Sequence, residues 1–119
     1  MIQILNIEKE NLIAAKINGR ITKKDIEKIH PLIHNIIRKG HKVDFYFELK
    51  DFHGYDLKGF WADLKLDSAH LSDYGKMAFV GEKKWQEWAA QATDFFTGSE
   101  VKYFDLQYKE QAKNWIQNN

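Results

Sequence analysis

The stretch Val43-Asp44-Phe45-Tyr46-Phe47-Glu48-Leu49 alternates with period two and consists mostly of strand formers. Helical patterns lie on both sides of it. Upstream, Ile26, Ile29, Ile33, Ile36 and Ile37 keep one face of a helix apolar. Downstream, Leu57, Phe60, Trp61 and Leu64 follow the same spacing. A strand set between two helices points to a mostly parallel sheet with right-handed crossovers.

Working outward, residues 2–5 and 11–17 read as two further strands. The short connection Asn6–Glu10 suits a hairpin, so the pair is expected to be antiparallel, with the first strand at the edge. Asn18-Gly19 is expected to turn the chain. Thr22 stands three residues before Asp25, the spacing of a capping box, and opens the first helix. Pro31 lies inside that helix and should kink it. The apolar period survives across the proline, which predicts one bent helix. Arg38-Lys39-Gly40 closes it, with cations in the last turn and then a glycine suited to a left-handed conformation.

On the carboxyl-terminal side, Met77–Val80 is an apolar strand closed by Gly81. Trp85, Trp88, Ala89, Ala92, Phe95 and Phe96 follow helical spacing. Val101–Phe104 is a last strand, and Ala112, Trp115 and Ile116 mark a terminal helix. The expected order is β-β-α-β-α-β-α-β-α. It describes a single α/β domain over residues 1–119: a mostly parallel five-stranded sheet with one antiparallel edge strand, flanked by four helices.

Composition narrows the function classes. In 119 residues, 18 Lys and Arg against 17 Asp and Glu leave a net charge of +1, without the basic excess of a nucleic-acid binder. There is no cysteine, which excludes a disulfide framework, a thiolate metal site and a Cys nucleophile. A 44% hydrophobic share with 14% aromatics argues against disorder. The first residues lack the basic and apolar segments of a signal peptide. No apolar run approaches the roughly 20 residues of a membrane span. The cytoplasm is therefore the expected compartment.

In open parallel sheets, ligands sit beyond the carboxyl ends of the strands. Two segments qualify: Lys50-Asp51-Phe52-His53-Gly54-Tyr55-Asp56 and Gly81-Glu82-Lys83-Lys84. No glycine-rich dinucleotide motif or Walker loop is present. Gly81 ahead of a helix start could hold an anion, but a tight turn with solvated lysines is the plainer account. Asp63, Asp67 and His70 could share a helical face as metal ligands, yet a polar face is what an amphipathic surface helix requires anyway. His30 and His34 stand four apart without the glutamate of a zinc protease, and read as surface or satisfied histidines. Ser68, Ser72 and Ser99 are the three serines, and none sits in a nucleophile elbow. No catalytic constellation, metal or cofactor is therefore expected. Trp85 and Trp88 read as core. Phe52, Tyr55, Phe60 and Trp61 concentrate more aromatic surface than a short helix normally buries, and could line a pocket or meet a partner.

The ordered set Gly19-Arg20-Ile21-Thr22 with Asp25 and Pro31, Phe45–Leu49, Asp51-Phe52, and Trp61 with Asp63, Lys65 and His70 resembles the SpoIIAA-like group of STAS domains. Lys76–Gly81 with Trp85, Val101–Asp105, and Ala112 with Trp115 extend the resemblance over most of the chain. This group has a fold close to the CRAL-TRIO lipid-transfer domains. The resemblance implies a small, cytoplasmic, non-enzymatic binding or regulatory module. Typical members that antagonise anti-sigma factors are switched by phosphorylation of a serine after the third strand. This chain departs from that pattern, because no serine or threonine occurs between Thr22 and Ser68 and Tyr55 is the one hydroxyl of the corresponding loop. The implied ligand- or partner-binding residues are His53, Gly54, Tyr55 and Trp61, with Asp63, Lys65 and His70 holding the helix and loop in position. The implied partner is a protein or a small apolar ligand. The second function implied is a CRAL-TRIO-like carrier of a small apolar ligand or lipid. A sheet edge left exposed keeps a homodimer open.

Overall fold

A computed structural model describes residues 2–20, 22–53, 74–82 and 98–118, together with 87, 90 and 93; at 20, 52 and 53 the backbone alone is described. Five strands form one sheet: β1 (Ile2–Leu5), β2 (Leu12–Arg20), β3 (Val43–His53), β4 (Tyr74–Gly81) and β5 (Glu100–Asp105). Their spatial order is their chain order. β1 pairs antiparallel with β2, and every other neighbour pair is parallel. The antiparallel edge and the parallel centre are those expected from the sequence.

Helices α1 (Lys23–Glu27) and α2 (His30–Arg38) connect β2 to β3. A 3-10 turn at Leu106–Tyr108 leads from β5 into α3 (Lys109–Gln117). Of the four expected helices, the described residues carry the first and the last. The second lies outside them, and the third is represented by Glu87, Ala90 and Thr93, which are helical. Among the described residues no helix is long and apolar enough to cross a membrane.

The first expected helix is two helices and not one bent one. Lys28 and Ile29 donate to Asp25 and Ile26, three residues back, so the chain tightens before Pro31 instead of continuing through it. The break places Pro31 in the first turn of α2, where an amide hydrogen has no helical acceptor to lose. The apolar face survives because Ile26, Ile29, Ile33 and Ile36 remain buried together. Thr22 caps α1 as predicted. Its backbone N–H donates to Asp25 Oδ2 at 2.9 Å, and its hydroxyl accepts from the Asp25 amide at 3.4 Å. Burial would raise the Asp25 carboxyl, but the Thr22 amide and hydroxyl outweigh it and hold the group below its ordinary value.

The two faces of the sheet bury different layers. One carries Ile13, Ala15, Ile17, Phe45, Phe47, Leu49, Met77 and Phe79 against the isoleucines of α1 and α2. Phe47 stands 5.2 Å from Phe45 and 5.6 Å from Phe79, ring centre to ring centre, a row of aromatics across the two central strands. The other face sets Ala14, Tyr46, Ala78 and Val80 against Ala112 and Ile116 of α3.

Two polar positions of β3 are buried too, at 5% exposure for Asp44 and 8% for Glu48. Each is paired. Glu48 Oε1 accepts from the Tyr46 hydroxyl at 3.0 Å. Asp44 Oδ2 accepts from Lys9 Nζ at 2.7 Å, and its Oδ1 from the Lys76 amide at 2.8 Å. Lys9 also donates to the Ile116 carbonyl at 2.7 Å, which joins the β1–β2 connection to α3. Gly75 lies under the Asp44 carboxylate, where an added Cβ would stand 2.3 Å from Oδ1. Gly75→Ala is therefore expected to lose about 1–3 kcal/mol in urea unfolding. Gly98→Ala, with open space around its Cβ, should be unchanged or up to about 1 kcal/mol more stable in the same assay.

Candidate functional site

The carboxyl ends of the four parallel strands gather Asn18–Arg20, Lys50–His53, Gly81-Glu82 and Asp105 at one end of the sheet. Three of these segments differ from expectation. Asn18-Gly19 is not a turn but part of β2, which runs on to Arg20. Lys50–His53 is not loop, because the longer β2 supplies it with a partner. Gly81 likewise ends β4 beside Asp105 instead of turning.

Between the pairs Asn18–Lys50 and Arg20–His53, one residue of β2 faces two of β3. The ladder is bulged there, and the backbone shows how. Gly19 has φ 64° and Asp51 φ 47°, both left-handed. Glycine takes that conformation without steric cost, and aspartate is among the few side-chain-bearing residues that tolerate it. A bulge adds twist and re-aims the end of a strand. It lies immediately before Gly54 and Tyr55.

His53 is thus the last residue of β3, opposite Arg20. Gly54, Tyr55, Trp61, Asp63, Lys65 and His70 lie outside the described residues, as do Asp67, Lys83 and Lys84. His30 is half-buried and His34 exposed on α2. Among the described residues no group of three or more His, Asp or Glu side chains is placed to hold a metal ion.

Sequence reasoning did not single out the end of β5. There the Tyr103 hydroxyl donates to the Glu82 carbonyl. Burial first, then the charges of Asp105 and Glu82, pushes the Tyr103 phenol up to about 12. Burial, reinforced by Glu48, raises the Tyr46 phenol as well. A cavity of about 220 Å³ opens at Tyr103, Phe104, Asp105, Tyr108 and Gln111. The signal was available, since Asp105 directly follows the apolar strand Val101–Phe104 and so ends a parallel strand. A second cavity, about 240 Å³, lies between β1, β2 and α2 and includes Ile4, Leu5, Leu12, Leu32 and Ile36. Small-molecule sites usually measure about 300–1,000 Å³, so it would hold at most a short apolar group.

Residues 12–117 match the family described as SpoIIAA-like. A solved structure from Shewanella loihica PV-4, an uncharacterized protein of the DUF3478 family with a SpoIIAA-like fold, is similar at a TM-score of 0.66 and 29% identity. The match covers 97% of this chain and 93% of that one. No curated protein matches the chain.

Two measurements check the geometry. Asp51→Val places a β-branched residue at a left-handed φ and should cost about 1–2 kcal/mol in urea unfolding, whereas Asp51→Asn should stay within about 0.5 kcal/mol. The raised phenol of Tyr103 binds its proton more tightly in the folded state. Its contribution to stability is complete below the ordinary tyrosine value near 10 and is lost as pH rises through about 12. Unfolding followed from pH 9 upward should therefore show a smaller alkaline loss in Tyr103→Phe than in the parent.

Proposed function

The chain belongs to the SpoIIAA-like family, and from that premise we propose that it is a non-enzymatic binding or regulatory module. It acts on a protein partner or small ligand through the surface that follows β3. The observation that carries this reading is the bulge at Asp51. A left-handed aspartate at a strand end is a local cost that the surrounding fold must cover, and such strain concentrates where a chain is shaped for recognition. The residues just beyond it supply what recognition uses: an imidazole at His53, a phenol at Tyr55 and an indole at Trp61.

With no serine or threonine between Thr22 and Ser68, a serine kinase has no acceptor in this segment. Regulation by this surface would then follow from binding itself, by competition or by partner concentration. On this reading Asp63, Lys65 and His70 are the polar residues assigned to support that surface.

The test uses the parent chain, Trp61→Ala and the distant surface variant Lys113→Ala as immobilised baits in lysate of the source organism, with quantitative mass spectrometry of what is retained. Native mass spectrometry of the purified chain covers small ligands. A partner or ligand retained by the parent and by Lys113→Ala, but reduced roughly tenfold or more for Trp61→Ala, is the expected result. Equal retention by all three would refute the reading.

A further inference from the structure

We propose that this chain pairs with a second copy of itself through β1, edge to edge and antiparallel about a two-fold axis, which joins the two sheets into one. The contact lies two strands away from β3 and stands whether or not the surface after β3 captures a partner. Three observations carry it.

The first is the edge. β1 is the outermost strand on its side, paired with β2 alone among the described residues. Its outward N–H and C=O groups are a template for another strand. Natural edges are commonly guarded by charges, proline or bulges, and the far edge follows that rule, since β5 carries Glu100, Lys102 and Asp105. β1 reads Ile2-Gln3-Ile4-Leu5, with no charge, no proline and an unbroken register against β2.

The second is Ile4. Its cross-strand neighbour Ala15 is fully buried, whereas Ile4 is 46% exposed at the margin of the sheet. The third is the groove. The cavity of about 240 Å³ between β1, β2 and α2 opens beside Ile4, with Leu5, Leu12, Leu32 and Ile36 in its wall. It suits a short apolar group such as an isoleucine side chain. Each copy therefore offers a knob beside a hollow, and a two-fold axis exchanges them.

A second copy answers all three features at once, while a small apolar ligand would fill the groove and leave the backbone edge unpaired. Charge suits self-pairing as well. β1 is neutral, so no like charges of the strand meet across the axis. The groove is lined by one acid and one base, Glu10 and Lys39, the sign pattern a surface needs to meet itself. Four strand residues and one groove make a small contact beside the roughly 800 Å² per partner of a standard interface, so the dimer is expected to be reversible.

Sedimentation velocity of the full chain from about 5 µM to about 500 µM spans the range in which so small a contact dissociates. The parent should rise with concentration toward twice the monomer mass and stop there, because an isologous contact closes at two. Hydrogen exchange at the amides of residues 2–5 should slow over the same range. Ile4→Lys charges the edge and removes the knob, and should weaken association roughly tenfold or more. Gln3→Glu gains Lys16 as a cross-strand partner within the chain but brings two acids together across the axis, so it should weaken association severalfold, and most at low salt. Leu106→Lys alters an equally exposed apolar residue beyond the far edge and should associate like the parent. A monomer throughout the range, its edge serving a different partner or none, overturns the proposal. So does association that grows past a dimer, that leaves residues 2–5 exchanging as fast as in the monomer, or that falls as far in Leu106→Lys as in Ile4→Lys. Association as strong in Ile4→Lys as in the parent overturns it too, and Gln3→Glu decides should Ile4→Lys not fold.

Discussion

The Asp44 carboxylate ties together more of this fold than any other described polar group. It sits near the start of β3, receives the Lys9 ammonium and the Lys76 amide, and lies 3.4 Å from the Asn11 carboxamide. Through Lys9 it reaches the Ile116 carbonyl, so one acid links the β1–β2 connection, β3, β4 and α3. Burying a carboxylate and an ammonium costs several kcal/mol each, and their attraction alone need not return it. Here the extra donors decide the balance. Both carboxylate oxygens are hydrogen-bonded, and the ammonium has a second acceptor. Remove one partner and the desolvation cost stays while the compensation goes, which is why such pairs are far more expensive to break than they are profitable to have. The same carboxylate dictates a glycine at 75, because no Cβ fits beneath it.

That arrangement divides the sheet into two unlike ends. At the amino ends of the parallel strands, polar groups are buried and paired. At the carboxyl ends, the ladder is bulged, two residues hold left-handed φ values and one carboxylate oxygen has no donor among the described residues. Local cost placed at one end can persist only if the other end and the two apolar layers hold the strands in register. The row Phe45, Phe47 and Phe79 does this on one face, and Ala112 and Ile116 close the other.

Much of this was legible in the sequence. The period-two run at Val43–Leu49, the short hairpin connection and the Thr22–Asp25 spacing each reflect local physics, and each is found where expected. The misreadings share a cause: the outcome depended on a neighbouring strand or on a choice between two local solutions. Pro31 can kink a helix or start one, and the apolar period is the same either way. Asn18-Gly19 offers a left-handed residue, but whether that residue turns the chain or bulges a strand depends on β3 running far enough to pair with Arg20. The burial of Asp44 and Glu48 could not be read from the alternating run alone, because it depends on the return of α3 over their face of the sheet. Of the candidate site, the rule that ligands gather at strand carboxyl ends led to the segment after β3 but passed over Asp105, because a lone acid after a strand looks like an ordinary cap.

Asp44 and Asp105 show why that distinction matters. Both are aspartates near the end of a strand in the same sheet, and the sequence around each offers donors. Asp44 has every oxygen engaged, so its carboxylate is committed to the chain itself. Asp105 does not cap the turn that follows it, and the Tyr103 hydroxyl donates to the Glu82 carbonyl. Whether a buried acid supports structure or recognition depends on whether its donors come from the chain. For Asp44 they do, and the group is fixed. For Asp105 one shielded oxygen is left without a donor among the described residues.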